Sequence, residues 1–347
     1  MSASKSRRHV LAVRADSMGD VLLAGPAIRA IAARARVTLL AGPAGEETAR
    51  ALPGVERVVV HPLPWIVADP EPCDAARLDA LVREMRALAI DEALIFTSFH
   101  QSALPLALLL RLAGVERIAA ISSDYPGSLL DVRHQVPDDL HEVERACSLA
   151  RAAGFPAPPD DDGRLAIRFA RSSRRRGTGA PLVVVHPGAS VPARAWDPDR
   201  HRSLVRHLAR AGVEVAVTGG PAEVELTAYV AGADADVLDL AGATPISELA
   251  GLLADASVLV SGNTGPAHLA AAVGTPVVSL YAPTVPAVRW RPWRVEHVLL
   301  GDQAAPCRGC RARVCPVPGH PCLDVSVRDV LAALGRFVPD VAWGCAA

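Results

Sequence analysis

The turn Ser261–Gly265 has the residue types of a phosphate-binding loop. It follows the β-branched run Ser257–Val260, which is typical of a buried strand, and it contains Gly262 and Gly265, which tolerate positive φ. Because proline suits the first helical position, we expect a helix to begin at Pro266. Its free N–H groups and positive dipole end would favour an anion such as a phosphate. An ordinary β–α turn without a ligand is the alternative.

Two further loops offer groups that complement a nucleotide. In the first, the Ser190 hydroxyl could bind phosphate oxygens and the Arg194 guanidinium could hold them by charge, unless Arg194 is simply solvated. In the second, which follows Thr218, Glu223 could accept hydrogen bonds from ribose hydroxyls or stabilise a helix N-terminus. Lys5 is the only lysine, so a cationic phosphate contact must come from an arginine or a helix terminus.

Asp20 is the candidate acid–base group of the N-terminal half. It lies between the strand-like run His9–Val13 and a helix expected from Val21, which places its carboxylate at the carboxyl edge of a parallel sheet. Capping of that helix is the alternative role, and Asp16 is a second candidate in the same loop. The loop lacks the G-x-G-x-x-G spacing of a dinucleotide site, so a nicotinamide oxidoreductase loses its main support.

Four cysteines near the C-terminus form the pattern C-x2-C-x4-C-x6-C, with His320 inside it. Their spacing could hold a structural zinc ion, although it is not that of a familiar zinc finger. Reduced thiols and disulfides are the other interpretations, and a cytoplasmic location argues against stable disulfides. The four residues are Cys307, Cys310, Cys315 and Cys322.

Strand-like and helix-like segments alternate along the whole chain, which predicts α/β architecture with doubly wound parallel sheets. Between Pro156 and Pro181 the composition shifts to Pro, Asp, Gly, Ser and Arg, which indicates a domain boundary. We therefore expect an N-terminal domain over 1–172 and a C-terminal domain over 182–324. The remaining segment, 325–347, contains a helix that could pack back on the first domain.

Composition excludes several partners. Lys and Arg total 36 against 37 Asp and Glu, so there is no basic excess to neutralise a nucleic acid. No apolar run reaches the roughly 18 residues that a membrane span requires, and the N-terminus lacks a signal-peptide core. The sequence predicts a cytoplasmic protein whose membrane contact is at most peripheral, at the inner face of the cell membrane.

Four motifs of the sequence belong together. In chain order they are RADSMGDVLLAGPAIRAI, HPGASVPARAWDPDRHRSL, TGGPAEVEL and SGNTGPAHLAAAVGTPVVSLYAPT. Their combination resembles glycosyltransferase family 9, which contains the ADP-heptose:lipopolysaccharide heptosyltransferases. The order and separation of the motifs match that family from about residue 9 to residue 334, and the combination is more specific than any single motif.

The resemblance implies a GT-B fold, in which two Rossmann-like domains face a cleft, with the sugar nucleotide on the C-terminal domain. It also implies an inverting, metal-independent transfer of a heptose or related sugar from an ADP-sugar to a hydroxyl of a glycan or glycolipid. Asp20 matches the family's base, Arg194 its phosphate contact and Glu223 its ribose contact. The acceptor-side loop is Ser17, Met18 and Gly19, and the remaining donor-binding positions are Ser190, Asn263, Thr264, Gly265, Pro266, Ala267 and His268.

Two departures from the family pattern leave the substrates open. Arg194 stands where a lysine is common, and Asn263 stands where some members have aspartate. The Ala-, Arg- and Pro-rich composition is typical of a high-GC genome, in which the acceptor need not be lipopolysaccharide. The alternatives are a nucleotide-sugar-binding protein without turnover, and a glycosyltransferase that uses another nucleotide sugar and acceptor.

Overall fold

The protein folds into two compact units, Met1–Ile167 and Arg168–Ala347, in a computed structural model. The structure describes residues 7–67, 69–172, 174, 179–234, 236–242 and 244–341. Each unit is built around one six-stranded sheet in which every pair of neighbouring strands is parallel. The predicted doubly wound α/β architecture is therefore confirmed.

The first unit has strand order β3-β2-β1-β4-β5-β6. Its strands are β1 His9–Arg14, β2 Arg36–Ala41, β3 Arg57–Val60, β4 Glu92–Ile95, β5 Arg117–Ile121 and β6 Val132–His134. Its helices are α1 Met18–Leu23, α2 Gly25–Ala32, α3 Glu46–Ala51, α4 Ala75–Ala87, α5 Leu104–Leu112 and α6 Glu142–Ala152. β1 is buried along its whole length, as its apolar run requires in a sheet covered on both faces.

The second unit repeats this arrangement, with strand order β12-β11-β10-β7-β8-β9. Its strands are β7 Leu182–His186, β8 Glu214–Val217, β9 Val237–Asp239, β10 Val258–Gly262, β11 Val277–Leu280 and β12 His297–Leu300. Its helices are α7 Pro198–Arg210, α8 Val224–Ala231, α9 Ile246–Ala254, α10 Gly265–Val273, α11 Ala287–Trp290 and α12 Val327–Leu334. In both sheets the strand order therefore changes direction at the strand that comes first in the sequence, β1 in the first sheet and β7 in the second.

This reversal determines where a ligand fits each unit. In open parallel sheets, ligands bind at the carboxyl edge, at the point where the strand order changes direction. In the first unit that point lies between β1 and β4, and in the second between β7 and β10. The loops after these four strands contain most of the polar residues that the sequence singled out.

Some predicted elements differ from the structure. The segment Arg164–Phe169 has the apolar alternation of a strand, and Leu165 and Ile167 are buried. In the described part of the chain, however, its backbone joins no sheet. The short edge strands β6 and β12 were missed. α12, for which a return to the first domain was considered, packs on α7, β11 and β12 of the second unit. No helix in the described ranges is both long and apolar enough to cross a membrane.

Candidate active site

Arg194 links the loops after three strands of the second unit. It ends a short 3-10 turn after β7, and its Nε donates to the Thr284 hydroxyl, 3.3 Å away, beyond β11. Its carbonyl oxygen lies against the last residue of β10, where a Cβ on Gly262 would approach it to 3.0 Å. The half-buried guanidinium is therefore held at the carboxyl edge of the sheet.

The start of α10 presents polar groups beside this arginine. Thr264 is the N-cap residue of α10, and Pro266 occupies the second helical position rather than the first. Two buried side-chain oxygens, Thr264 Oγ1 and Asn263 Oδ1, have no hydrogen-bond partner within the described ranges. Because a buried polar atom without a partner costs free energy, this loop is suited to a polar ligand. The threonine hydroxyl can donate or accept a hydrogen bond, and the amide oxygen can accept one.

Glu223 is held beside the same edge by the backbone. Its Oε2 accepts the N–H of Gly220 at 2.7 Å, and a Cβ on Gly188 would lie only 1.9 Å from Oε1. Glycine is therefore required at position 188 for this carboxylate to approach the loop after β7. Glu223 Oε2 is also 3.8 Å from His186 Nε2, an acidic partner that the sequence did not reveal. The arrangement leaves a partly exposed carboxylate at the edge of the sheet.

Two histidines beneath this edge are buried. His186 Nδ1 is 3.1 Å from the Thr218 hydroxyl, and the His201 ring packs edge-on against Trp196 with centroids 4.8 Å apart. Burial lowers the pKa of His186, against the opposing charge of Glu223. Burial also lowers the pKa of His201, to about 3. Both rings are therefore neutral at pH 7; His186 lies within hydrogen-bonding distance of Thr218, and His201 packs on Trp196.

Below pH 6.5 we expect the free energy of unfolding to fall as the pH is lowered. Between pH 6.5 and about 3 the unfolded chain protonates His201, whereas the folded chain does not. One such proton lowers stability by up to about 1.4 kcal/mol per pH unit. His201→Phe keeps an aromatic ring against Trp196 and should reduce this slope in urea denaturation at pH 7, 6 and 5. An unchanged slope would contradict the assignment.

Asp20 belongs to a cluster of ionic groups in the first unit. Arg14 Nη2 lies 2.8 Å from Asp20 Oδ1 and 3.0 Å from Asp16 Oδ2, and Arg14 Nη1 lies 3.6 Å from Glu142 Oε2. The same Nη2 donates to the Ser98 hydroxyl at 2.8 Å, in the loop after β4. The cluster therefore lies where the strand order reverses between β1 and β4.

The two aspartates of the cluster have different environments. Asp16 has a 7% exposed side chain that accepts from Ser98 and Gln101, whereas Asp20 is 19% exposed. Burial raises the pKa of Asp16, and repulsion from Asp20 adds to the rise. Although burial alone would lower the pKa of Arg14, the neighbouring carboxylates raise it. The guanidinium thus stays charged and holds the more accessible carboxylate of Asp20 in place.

Asp20 is not the N-cap residue of α1, as the capping alternative required. α1 begins at Met18, so Ser17 is the N-cap residue and Asp20 lies in the first turn. The Ser17 hydroxyl donates to Asp20 Oδ2 at 2.8 Å, which orients the carboxylate further. Gly19 is buried between them.

The remaining residues predicted to bind the sugar nucleotide differ in how exposed they are. Ser190 is exposed in the loop after β7. Gly265 is the first residue of α10, while Pro266, Ala267 and His268 are buried in its first turn. His268 is 6% exposed, so it helps to position the helix start and has little surface available to a ligand.

The cysteine cluster forms no assembled metal site. Within the described ranges, no group of three or more His, Cys, Asp and Glu side chains could hold a metal ion. The four cysteines are free thiols, and only Cys322 is buried. Burial raises the pKa of Cys322 to about 11, and a hydrogen bond with Cys307 adds to the rise. The charges of Cys315 and Cys310 also raise this pKa, and the structural zinc considered from the spacing stays a prediction.

Comparison with known proteins identifies the family. The family model "Glycosyltransferase family 9 (heptosyltransferase)" matches residues 79–320, more than half of the chain. The chain belongs to glycosyltransferase family 9. The family predicted from the four motifs is therefore confirmed, and it identifies the enzyme class as glycosyltransferase.

Relatives and solved structures of family 9 agree with this assignment. Lipopolysaccharide heptosyltransferase 3 of Escherichia coli is 31% identical over 185 residues, covering 51% of this chain and 53% of that protein. The chain thus spans about half the length of this curated relative. The family 9 protein of Veillonella parvula has a TM-score of 0.79 at 16% identity, covering 98% of this chain and 100% of that one. The E. coli heptosyltransferase WaaC with ADP-2-deoxy-2-fluoro heptose has a TM-score of 0.70 at 21% identity, covering 94% and 99%. These likenesses confirm the GT-B type of fold.

Several residues that shape these sites were not identified from the sequence. Arg14 lies at the centre of the ionic cluster around Asp20. The sequence shows it only as a charged residue at the end of an apolar strand. Ser98 and Gln101 reach it from the loop after β4. Thr284 contacts Arg194 but lies ninety residues away along the chain.

Proposed function

We propose that this protein is an inverting glycosyltransferase that moves a heptose or a related sugar from an ADP-sugar to a hydroxyl of a glycan or glycolipid. The second unit binds the donor, and Asp20 of the first unit serves as the general base. The relatives named as heptosyltransferases and the WaaC structure with an ADP-heptose analogue support this donor. The acceptor class rests on the family alone.

The observation that carries the proposal is the group of residues around the start of α10. A guanidinium, two unpartnered buried oxygens and the N–H groups of a nine-residue helix lie at the point where a parallel sheet binds ligands. A diphosphate matches the cation and the helix dipole. A vicinal diol matches the carboxylate of Glu223 on the adjoining strand loop.

The proposed reaction uses the two units for different steps. Asp20 removes the proton of the acceptor hydroxyl while that oxygen attacks the anomeric carbon of the donor. The bond between the anomeric carbon and the diphosphate oxygen breaks, and ADP leaves with the electron pair. Arg194 and the N-terminus of α10 stabilise the negative charge that develops on the leaving diphosphate. One displacement with a single base inverts the configuration of the sugar.

Release of ADP from ADP-heptose tests this function. We expect release to require an acceptor, supplied as a glycolipid extract, and to exceed release of UDP or GDP from their sugars. A transferred heptose should then appear as a mass increase of the acceptor. Tight binding of ADP-heptose without ADP release, with any acceptor tested, would favour a binding protein. Faster turnover of a UDP-sugar would indicate that the donor is a UDP-sugar instead.

We expect turnover to survive EDTA, because Arg194 and the helix dipole take the place of a divalent cation at the diphosphate. Aspartates two residues apart occur near the site, but Asp197 caps α7 and Asp199 accepts from Tyr229. The pair Asp234 and Asp236 precedes β9, at the opposite edge of the sheet. The measurement is the ADP release rate with EDTA and with added Mg²⁺. Loss with EDTA and recovery with Mg²⁺ would overturn metal independence.

A further inference from the structure

The first unit contains a cavity of about 480 Å³ that the proposed reaction has not yet used. It lies between the loop that follows β3 and the helix α4. Most of its wall is apolar and comes from leucine, valine, alanine and proline side chains. The apolar wall residues are Pro62, Leu63, Pro64, Val67, Pro72, Leu78, Ala80 and Leu81.

The ionic groups at this cavity are largely engaged by their neighbours. His61 Nε2 lies 2.8 Å from Glu84 Oε2 on α4. The Arg77 guanidinium pairs with Glu71. Asp74 accepts the backbone N–H of Arg77 at 3.0 Å and so caps α4. Arg77, the one arginine of the described wall, is already paired with a carboxylate, so a phosphorylated or carboxylated ligand finds no ready counter-charge.

The cavity lies on the same edge of the sheet as Asp20. Its loop begins where β3 ends, at the carboxyl edge that also carries the loops after β1 and β4. The buried side chain of Leu63 lines both this cavity and a much smaller one, whose wall contains Asp16 and Thr97. Leu63 therefore lies between the apolar cavity and a small pocket that is lined by Asp16, a neighbour of the proposed base.

We infer that this cavity binds the uncharged, apolar part of the acceptor, such as the alkyl chain of a lipid-linked sugar, while the sugar hydroxyl extends toward Asp20. The inference rests on the proposed function, because it assigns the first unit to the acceptor. Volumes of about 300 to 1,000 Å³ with mostly apolar walls are those of sites for small ligands. Burial of an alkyl chain supplies affinity without any ionic contact.

Alkyl glucosides of different chain length test this cavity. Full-length protein is titrated by calorimetry with methyl, hexyl and octyl β-D-glucoside, each below the concentration at which it forms micelles. We expect affinity to rise by up to about fourfold for each methylene buried, between hexyl and octyl. Binding of the octyl compound should also show a negative heat-capacity change. The methyl compound should bind too weakly to detect.

Two alanines of α4 provide a matched pair of variants. Both are exposed, but Ala80 lines the cavity, whereas Ala87 lies at the end of the same helix and outside the cavity. We expect Ala80→Phe to occupy part of the cavity and to weaken octyl glucoside binding at least tenfold. Ala87→Phe adds the same side chain elsewhere and should leave this affinity unchanged.

Binding of ADP, measured on the same samples, separates this inference from the proposed function. No detectable binding of octyl glucoside by the wild type, or equal binding by Ala80→Phe, would overturn the cavity assignment, and retained ADP binding would leave the donor site intact. Equal weakening by Ala80→Phe and Ala87→Phe would also overturn it, because it would indicate adsorption along the whole helix. Failure of the wild type to bind ADP would instead count against the proposed function.

Discussion

Replacing Asp20 with asparagine is expected to lower kcat by about 10²- to 10⁴-fold, the usual contribution of a general base. Asparagine has almost the same shape. Its amide oxygen can still accept from Arg14 and its amide nitrogen can donate to the Ser17 hydroxyl, but it cannot take the acceptor proton. Donor affinity should barely change, because the proposed donor residues belong to the second unit. The measurements are kcat for ADP release and the dissociation constant of ADP.

The neighbouring aspartate gives this prediction its sharpest control. Asp16 contacts the same guanidinium nitrogen but is more buried, at 7% exposure against 19% for Asp20. Asp16→Asn should therefore lower kcat less than Asp20→Asn does. A larger loss for Asp16→Asn would transfer the role of base to Asp16. An unchanged kcat for Asp20→Asn, with chemistry shown to limit the rate, would remove Asp20 as the base.

Removing the guanidinium of Arg194 is expected to weaken ADP binding by about 10- to 150-fold. This range corresponds to the loss of one hydrogen bond to a charged group, about 1.5 to 3 kcal/mol. Arg194→Lys keeps the charge but not the planar fork, so an intermediate loss is expected. Both affinities are measured by calorimetry with ADP.

An arginine outside the site supplies the control for this loss. Arg206 is exposed on α7, so Arg206→Ala makes the same change of net charge away from the donor residues. ADP affinity should stay as it is in the parent protein. If Arg194→Ala also binds ADP as tightly as the parent, the diphosphate is bound elsewhere.

The positions of the candidate residues could be predicted from the sequence because strands and helices alternate. In a parallel sheet every loop after a strand lies at the carboxyl edge, so recognising the strands was enough to place Asp20, Arg194 and Glu223 there. Errors at the strand ends did not change this result. Observed β10, for example, extends to Gly262, two residues beyond the predicted strand.

The contacts among these residues could not be predicted, because they depend on which strands are neighbours. Ser98 reaches Arg14 only because β4 lies beside β1, and Thr284 reaches Arg194 only across β10. Gly188 has to be a glycine because the Glu223 side chain, from the loop after β8, lies against it. The residues around position 188 give no indication of this contact. The roles assigned to these residues remain predictions that mutation can test.

Thermal denaturation with a panel of nucleoside diphosphates tests the central claim most directly. At a concentration one hundred times its dissociation constant, a ligand that binds only the folded protein stabilises it by about 2.7 kcal/mol. We expect ADP and ADP-heptose to raise the melting temperature and UDP and GDP to raise it less. Arg194→Ala should reduce the shift with ADP. No shift with ADP, a larger shift with UDP or GDP, or an equal ADP shift in Arg194→Ala would contradict an ADP-sugar site in the second unit.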